Sequence, residues 1–346
     1  MSEAVLIVDD LKTHFFTRDG VVRAVDGVDL RVEAGQVLGL VGESGSGKSM
    51  TGYSILGLVD APGRIVAGRI LLYGRDKRGR DLRALAPEAM RDVRGNRIAM
   101  IFQDPMMSLN PVLTIETQMI EAMTAHPAAH GGASKTALRE RASATLARVG
   151  IASPHERLAA YPHQFSGGMR QRVAIAIALL NEPDVIVCDE PTTALDVTIQ
   201  GQILYEMQKL CRESGTALLW ITHDLTVVAG LADRVSVMYA GRIVESGTTA
   251  EVLETPRHPY TQGLIASSPA AALRSGSDAP QRRLAQIPGM PPSLAALPQG
   301  CAFRPRCSRA TNVCLVEPPL TYESTGRNYR CFHPIVSGCG FSLESP

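Results

Sequence analysis

A glycine-rich stretch near the N-terminus carries the residues most suited to chemistry. Its members are Gly42, Glu43, Ser44, Gly45, Ser46, Gly47, Lys48 and Ser49. Their spacing matches the phosphate-binding P-loop, in which glycines let backbone N–H groups close around a phosphate. We expect the following helix to add the positive end of its dipole, Lys48 to reach the β- and γ-phosphates, and Ser49 to offer its hydroxyl to Mg²⁺. The stretch therefore predicts a nucleoside triphosphate site.

Two adjacent acids follow a second apolar run. Asp189 and Glu190 come directly after Val185-Ile186-Val187-Cys188. At the end of a strand, Asp189 is expected to hold Mg²⁺ through water, and Glu190 to polarise the water that attacks the phosphate. Two acids after a strand are common by themselves. In combination with the P-loop they indicate hydrolysis of the triphosphate.

Short apolar runs and helical patterns alternate around these residues. Val37–Val41, Val185–Val187 and Ala217–Ile221 predict strands, and each is followed by polar or glycine-containing residues and a helical stretch. Thr198–Ser214 has apolar residues at helical spacing, and Gly215 stands where a C-terminal cap belongs. This alternation of strands and helices predicts an α/β fold with helices packed on a sheet.

The segment at about 104–165 has no strand signal. Leu138, Ala142, Leu146 and Val149 recur there at helical spacing, which predicts an amphipathic helix. We therefore expect a helical insert in the α/β domain.

The amino-acid composition changes beyond Val252. Eight prolines occur between Glu254 and Gln299, which predicts a loop-rich connector. We expect a first domain over residues 1–253 and a C-terminal extension over residues 254–346.

The composition excludes several classes of protein. Of 346 residues, 45% are apolar and 20% charged, and the net charge is +1; these values are ordinary for a globular protein and give no basic surplus for nucleic acid. The longest apolar runs, such as Val173–Leu180, are far shorter than the roughly 20 residues of a membrane span. The first ten residues carry acids and do not resemble a secretory signal. We expect the chain to fold in the cytosol.

A further motif makes the sequence resemble the ATP-binding subunits of ABC transporters. The run Phe165-Ser166-Gly167-Gly168-Met169 lies between the P-loop and the two acids. It is similar to the signature loop of that family, although Phe165 and Met169 replace the usual Leu and Gln.

Other matches to the family follow in order. Gln103 resembles the Q-loop residue, Ala194-Leu195-Asp196 the D-loop, and His223 the switch histidine. The resemblance covers about residues 5–250. It implies a P-loop NTPase fold with a RecA-like core, an antiparallel β subdomain and a helical insert.

The resemblance also implies roles for particular residues. Gln103 would contact Mg²⁺ and the attacking water, and His223 would contact the γ-phosphate and hold the geometry around Glu190. Phe15, or alternatively its neighbour Phe16, would stack on adenine, and Met50 would join the ATP site. Hydrolysis would occur at the interface of two subunits. The signature loop of each subunit would close over the ATP that is bound to the P-loop of the other. The residues of this chain that would reach the partner's ATP are Ser166, Gly167, Gly168 and Met169 of the signature loop; Asp196 would be the D-loop residue.

Four segments resemble one branch of the family, the bacterial importers of peptides and nickel, and within it the first of the paired ATPases. They are Met100–Pro111, Tyr161–Met169, Asp189–Thr198 and His258–Leu264. The last lies where catalysis is expected to impose nothing on the sequence.

The branch implies an ATPase that drives uptake of di- or oligopeptides from the cytoplasmic face of the inner membrane, as a peripheral subunit. Its partners would be a homologous second ATPase, two transmembrane permease subunits and, indirectly, an extracytoplasmic solute-binding protein, with no nucleic acid. Nickel, glutathione or another small solute remains open as the cargo. A soluble ABC ATPase acting on nucleic acid or ribosomes is the alternative from another class.

Cysteines are concentrated near the C-terminus. Cys301, Cys307, Cys314 and Cys331 are separated by five, six and sixteen residues, which fits neither a zinc ribbon nor the usual ferredoxin runs. The spacing alone indicates four thiolates around some metal. Members of the branch carry a similar pattern that binds a [4Fe–4S] cluster, so the resemblance implies this cofactor; zinc, free thiols and disulfides remain open. Cys339 would be a spare thiol.

Overall fold

The computed structural model describes residues 3–73, 78–104, 108–126, 132–192, 197–268 and 286–336. The strands in these ranges are β1 (Ala4–Thr17), β2 (Gly20–Glu33), β3 (Val37–Val41), β4 (Gly63–Tyr73), β5 (Gly79–Asp81), β6 (Ile98–Ile101), β7 (Val185–Asp189), β8 (Ala217–Thr222), β9 (Arg234–Tyr239), β10 (Arg242–Thr248), β11 (Thr321–Tyr322) and β12 (Asn328–Tyr329).

The helices in the same ranges are α1 (Lys48–Ile55), α2 (Pro87–Val93), α3 (Ile115–Thr124), α4 (Lys135–Arg148), α5 (Pro154–Arg157), α6 (Gly167–Leu179), α7 (Val197–Ser214), α8 (Leu225–Leu231), α9 (Thr249–Glu254) and α10 (Pro259–Ser267). Short 3₁₀ turns occur at Leu82–Ala84, Pro162–Gln164, Arg304–Arg306 and Asn312–Leu315.

The larger sheet has eight strands in the order β11-β12-β10-β9-β3-β8-β7-β6. From β9 to β6 the neighbours are parallel, and β10, β12 and β11 continue the sheet in antiparallel pairs. Every residue of β3, β7 and β8 is buried, because both faces of this parallel part are covered. Helices pack on one face, and strands β1, β2 and β4 with helices α1 and α2 pack on the other. The three strands predicted from apolar runs are confirmed.

The smaller sheet is antiparallel, with four strands in the order β2-β1-β4-β5. Alternate side chains of its strands face inward, as the two-residue period of a strand requires. One core cluster contains Leu6 and Leu30 of this sheet together with Leu40 and Leu219 of the larger sheet. The expected fold is therefore confirmed: a P-loop α/β core with an antiparallel β subdomain packed against it.

The predicted helical insert is present within the described residues. Its helices α3, α4 and α5 precede α6 in the chain, and a second core cluster joins Met119, Leu138, Leu146 and Val173. Thr114 caps α3 by accepting a hydrogen bond from the backbone N–H of Thr117 at 3.2 Å, which satisfies one of the free donors at the helix start.

The C-terminal part of the chain completes the larger sheet. Strand β12 pairs with β10, where Glu245 faces Tyr329 and Ser246 faces Asn328. A third core cluster joins Val41 to Phe303. Residues on both sides of the predicted boundary at 253/254 thus share one sheet and one core, and the domain bounds stay a prediction.

The prediction of a loop-rich connector over Glu254–Gln299 is wrong for helix α10. This helix forms because Pro259 occupies its first turn, where a missing N–H costs nothing, and His258 caps it. Nδ1 of His258 accepts from the backbone N–H of Tyr260 at 3.0 Å. Among the helices that the structure describes, none has the length and apolar character needed to cross a bilayer.

A buried ion pair fastens the C-terminal part to the sheet. The side chains of Glu245 and Arg327 are 0% and 2% exposed, and the Arg327 guanidinium donates to Glu245. Glu245 also accepts from the backbone N–H groups of Arg257 at 2.8 Å and His258 at 2.9 Å. One carboxylate therefore holds β10, the start of α10 and the β11–β12 hairpin together.

We predict that Arg327→Ala lowers the free energy of unfolding by about 3–5 kcal/mol, because it leaves a buried carboxylate without its counter-charge. Urea denaturation followed by circular dichroism measures the loss. Arg69→Ala is the matched control, since it breaks the exposed pair of Arg69 with Asp9 and is expected to cost less than about 1 kcal/mol. Equal losses in the two variants would contradict the assignment.

Candidate functional site

The P-loop links the end of β3 to the start of α1. Gly47 has a φ of +106°, a conformation that side chains rarely adopt. A Cβ atom at this position would lie 2.2 Å from the carbonyl oxygen of Ala24 in β2. The turn into α1 therefore requires glycine, both for its dihedral angle and for its close approach to β2.

Lys48, the first residue of α1, is buried beneath the loop. Its Nζ donates to the carbonyl oxygens of Gly42 at 2.8 Å and Glu43 at 2.9 Å. Burial lowers the pKa of Lys48, and the nearby carboxylates of Glu190 and Asp189 oppose this effect. The ammonium group thus lies between the loop backbone and the two acids.

Ser49 and Asp189 connect the P-loop to β7. The Ser49 hydroxyl donates to Oδ1 of Asp189 at 2.8 Å. Burial raises the pKa of Asp189, the hydrogen bond from Ser49 lowers it, and neighbouring Glu190 raises it. A hydroxyl and a carboxylate in contact supply the oxygen ligands that Mg²⁺ prefers, so the residues present fit this ion.

Glu190 has two side-chain partners. Nε2 of Gln103 donates to its Oε2 at 3.2 Å, and Nδ1 of His223 lies 2.9 Å from its Oε1. The backbone of Glu190 is in the left-handed region with a φ of +46°, and its N–H donates to the carbonyl oxygen of Ile221 at 2.9 Å. Left-handed backbone is strained for a residue with a side chain and is concentrated at functional sites.

One edge of the larger sheet brings these side chains together. The P-loop follows β3, Gln103 follows β6, Glu190 follows β7 and His223 follows β8. These four strands are parallel neighbours, so their carboxyl ends meet at the same edge, where open α/β sheets bind ligands. The structure thus assembles the catalytic and Mg²⁺ residues expected from the sequence.

The signature loop lies elsewhere. Ser166 caps α6 by accepting from the backbone N–H of Met169 at 3.3 Å, and Gly167 begins the helix. In the part of the chain that the structure describes, no hydrogen bond joins Ser166–Met169 to the P-loop. The D-loop residue Asp196 lies outside the described residues.

Phe15 and Met50, expected near the nucleotide base and the P-loop, have packing roles in the structure. Phe15 in β1 covers Gly63 of β4, where a Cβ atom would lie 2.6 Å from the phenyl ring. Met50 packs against the core cluster that joins the two sheets. Their contacts with ATP stay predictions.

The cysteines predicted to bind a metal lie around one small cavity. Cys301, Cys307, Cys314 and Cys331 all line it. Burial raises the pKa of Cys331 to about 11. Among the described residues, no group of three or more His, Cys, Asp or Glu side chains could hold a single metal ion. Cys339 lies outside the described residues.

Two contacts with the P-loop were missed by the sequence analysis. The Tyr260 hydroxyl accepts from the backbone N–H of Glu43 at 2.9 Å, and the Arg306 guanidinium pairs with the Glu43 carboxylate at 2.7 Å. Tyr260 lies in the segment His258–Leu264, on which catalysis is expected to impose nothing, and it contacts the phosphate-binding loop; the expectation itself stays a prediction. Sequence separations of 217 and 263 residues leave no local pattern that could reveal either contact.

Two family profiles match the chain. The ABC transporter profile matches residues 25–193, which include the P-loop, Gln103, the signature loop and both acids. The profile of the oligopeptide/dipeptide transporter C-terminal region matches residues 244–314, which include Tyr260 and Arg306.

Known proteins resemble the chain over most of its length. A putative peptide import ATP-binding protein of Brucella abortus is 50% identical over 95% of this chain and 97% of its own length. The dipeptide transport ATP-binding protein DppD of Escherichia coli is 44% identical over 96% of this chain and 97% of its own. The oligopeptide transport protein OppD of the same organism is also 44% identical, over 96% of this chain and 94% of its own length.

Among solved structures, the dimeric ATP-binding cassette MJ0796 with ADP and Pi superposes with a TM-score of 0.62 at 26% identity, covering 70% of this chain and 98% of that one. This likeness shows the cassette fold, whereas the curated relatives match the C-terminal part as well. The chain belongs to the ATP-binding proteins of ABC transporters, in the branch that carries the oligopeptide/dipeptide C-terminal region.

Proposed function

We propose that this chain hydrolyses ATP to drive the import of di- or oligopeptides, as the ATP-binding subunit of an ABC transporter. The single observation that carries the ATPase assignment is the pair of hydrogen bonds from Gln103 and His223 to Glu190, beside the Ser49–Asp189 contact. The relatives' names specify peptides, dipeptides or oligopeptides, which favours peptides over nickel or glutathione as cargo.

The P-loop residues bind the triphosphate in this proposal. The backbone of Gly42–Ser49 encloses the phosphates, and Lys48 neutralises charge on the β- and γ-phosphates. Bound Mg²⁺ would neutralise the charge that develops on the transferring phosphoryl group. Ser49, Asp189 and Gln103 are the residues that would hold it.

Glu190 is the general base for the attacking water. As the water oxygen bonds to the γ-phosphorus, the bond from that phosphorus to the β,γ-bridging oxygen breaks, and the proton moves to the Glu190 carboxylate. His223 and Gln103 hold this carboxylate from both sides, so it needs no reorientation during the reaction. His223 also donates to the γ-phosphate.

A second ATPase subunit completes each site. Ser166, Gly167, Gly168 and Met169 close over the ATP bound by a homologous partner, and Asp196 joins the same interface. Two observations support this arrangement: the signature loop has no hydrogen bond to its own P-loop among the described residues, and the MJ0796 cassette is dimeric in its ADP-bound state.

The remaining partners are membrane and external proteins. The helical insert, which Gln103 joins to the ATP site, docks on two permease subunits, and an extracytoplasmic solute-binding protein delivers the peptide to them. The chain is a peripheral subunit at the cytoplasmic face of the inner membrane. A net charge of +1 gives no surplus for a nucleic-acid partner.

The four cysteines around one cavity bind a [4Fe–4S] cluster in this proposal. The support for this proposal is that all four thiols line the same cavity and that their spacing is similar to the pattern of the importer branch. The bonds of the cluster would stabilise a segment with little core of its own. Zinc stays open as the alternative metal.

Glu190→Gln is expected to leave ATP binding intact and to cut hydrolysis at least about a hundredfold, the scale of losing a positioned base. Phosphate release and equilibrium nucleotide binding measure the two effects. Glu213→Gln, which changes an exposed acid of α7, is the matched control and should hydrolyse ATP normally. Near-normal turnover by Glu190→Gln would remove Glu190 from the catalytic role.

Ser166→Ala is expected to cut ATP hydrolysis by the assembled transporter about a hundredfold, as for one lost donor to a reacting phosphate. Binding of ATP to the isolated chain should not change. Because the variant also removes a helix cap, Ser134→Ala is the control: Ser134 caps α4 through the N–H of Ala137 at 3.2 Å. The shared site is refuted if both variants hydrolyse ATP equally well.

The chain purified without oxygen is expected to be brown and to carry about four iron and about four sulfide. Cys314→Ser should lose the colour and the iron, whereas Cys339→Ser should keep both. Iron and sulfide assays with the visible absorption spectrum measure this. A colourless protein with one zinc would instead favour the alternative metal.

A further inference from the structure

The P-loop has a charged partner in the cysteine segment, which we define as residues 300–331. Nη1 of Arg306 donates to Oε2 of Glu43 at 2.7 Å, and Nη2 donates to Oε1 at 2.9 Å. This is a two-pronged pair, the strongest geometry for a guanidinium and a carboxylate. It joins a residue inside the phosphate-binding loop to one 263 positions later.

The surroundings hold Arg306 in one orientation. Its side chain is 4% exposed, and its Nε donates to the carbonyl oxygen of Pro288 at 2.9 Å. The guanidinium lies 5.9 Å from the ring of Tyr239 and 6.0 Å from that of Phe303, within reach of a cation–π interaction. A cation this deeply buried is retained because Glu43 balances it.

Tyr260 gives the loop a second contact in the same place. Its hydroxyl accepts from the backbone N–H of Glu43 at 2.9 Å, and the residue is fully buried. Its ring centroid lies 4.5 Å from that of Tyr239 and 5.4 Å from that of Phe303. Tyr260 therefore holds the backbone of Glu43 and Arg306 holds its side chain, and both residues pack against the rings of Tyr239 and Phe303.

Arg306 lies next in sequence to Cys307, which lines the cysteine cavity. It closes a 3₁₀ turn, in which its N–H donates to the carbonyl oxygen of Phe303 at 3.0 Å, and Cys307 is the next residue. The same segment is tied across the cavity by the N–H of Cys301, which donates to the carbonyl oxygen of Cys314 at 3.0 Å. The backbone turn that positions Cys307 thus also positions Arg306.

We propose that Arg306 is a positioning residue for the P-loop, and that through Glu43 it couples the order of the cysteine segment to ATP binding. Arg306 neutralises a carboxylate beside the site of the phosphates, where an unpaired negative charge would repel them. It also fixes Glu43, whose carbonyl oxygen accepts from Lys48. Coupling between two sites is reciprocal, so bound nucleotide in turn stabilises the cysteine segment. The inference rests on the proposed ATP site.

The test measures binding of Mg·ATP to the full chain by calorimetry. Arg306→Gln is expected to weaken the affinity about tenfold, within the range of measured couplings. Glu43→Gln should weaken it less, because it removes the repelling charge together with the tether. The combined variant should lose less than the product of the two single losses, since both act through one contact.

Glu317→Gln is the matched control. Glu317 pairs with Arg242 and so also joins the cysteine segment to the rest of the chain, but the pair contacts no P-loop residue. This variant should bind ATP like the wild type. Arg306→Lys, which keeps the charge and loses the two-pronged geometry, is the second test variant if Arg306→Gln does not fold by circular dichroism.

Amide hydrogen exchange supplies a readout that a merely structural role would not change. Mg·ATP should slow exchange in a peptide covering residues 301–307 of the wild type and Glu317→Gln, but not of folded Arg306→Gln or Arg306→Lys. The inference would be overturned if these two variants bound Mg·ATP with the affinity of the wild type and if Mg·ATP slowed their amide exchange as much as it does in the wild type. If the wild type itself bound no ATP, the proposed function would fail instead.

Discussion

The parallel pairing of β3, β8, β7 and β6 is the constraint on which the site depends. Each strand ends in a residue or loop that contributes to the site, and parallel pairing delivers all four ends to one edge of the sheet. The Ser49–Asp189 hydrogen bond then links the loop after β3 to the end of β7. A change of strand order would separate side chains that lie more than 80 positions apart in sequence, such as Gln103 and Glu190.

Buried charges and a residue with strained backbone occur together at this edge. Lys48 and Asp189 are each at most 5% exposed, and the charge of each lowers the cost of burying the other. The backbone of Glu190 is in the left-handed region, which costs about 1 kcal/mol or more in conformational free energy. This conformation persists because the surrounding contacts hold it in place. The N–H bond to β8 and the side-chain bonds to Gln103 and His223 are those contacts. An edge of this kind is preorganised for phosphate chemistry, since its dipoles and charges need little rearrangement.

The C-terminal part of the chain is built into the ATP-binding core. Its strand β12 continues the larger sheet, its buried Arg327 pairs with Glu245 of β10, and its Arg306 reaches Glu43 in the P-loop. The first two contacts join this part of the chain to β10, which is separated from β3 by β9, and the third reaches the P-loop itself. One ion pair, between Arg306 and Glu43, thus links the cysteine segment directly to the phosphate-binding loop.

The sequence by itself determined the parts that are local. The P-loop, the two acids, the strands predicted at Val37–Val41 and Ala217–Ile221 and the helix before Gly215 could be read from it. Glycine requirements, apolar periodicity and caps act over a few residues, so a short window contains them. Only the tertiary structure decided which distant side chains meet. The convergence on Glu190 and the pairing of Arg306 with Glu43 depend on strand order and on burial. These are properties of the whole chain, so no short window of residues carries them.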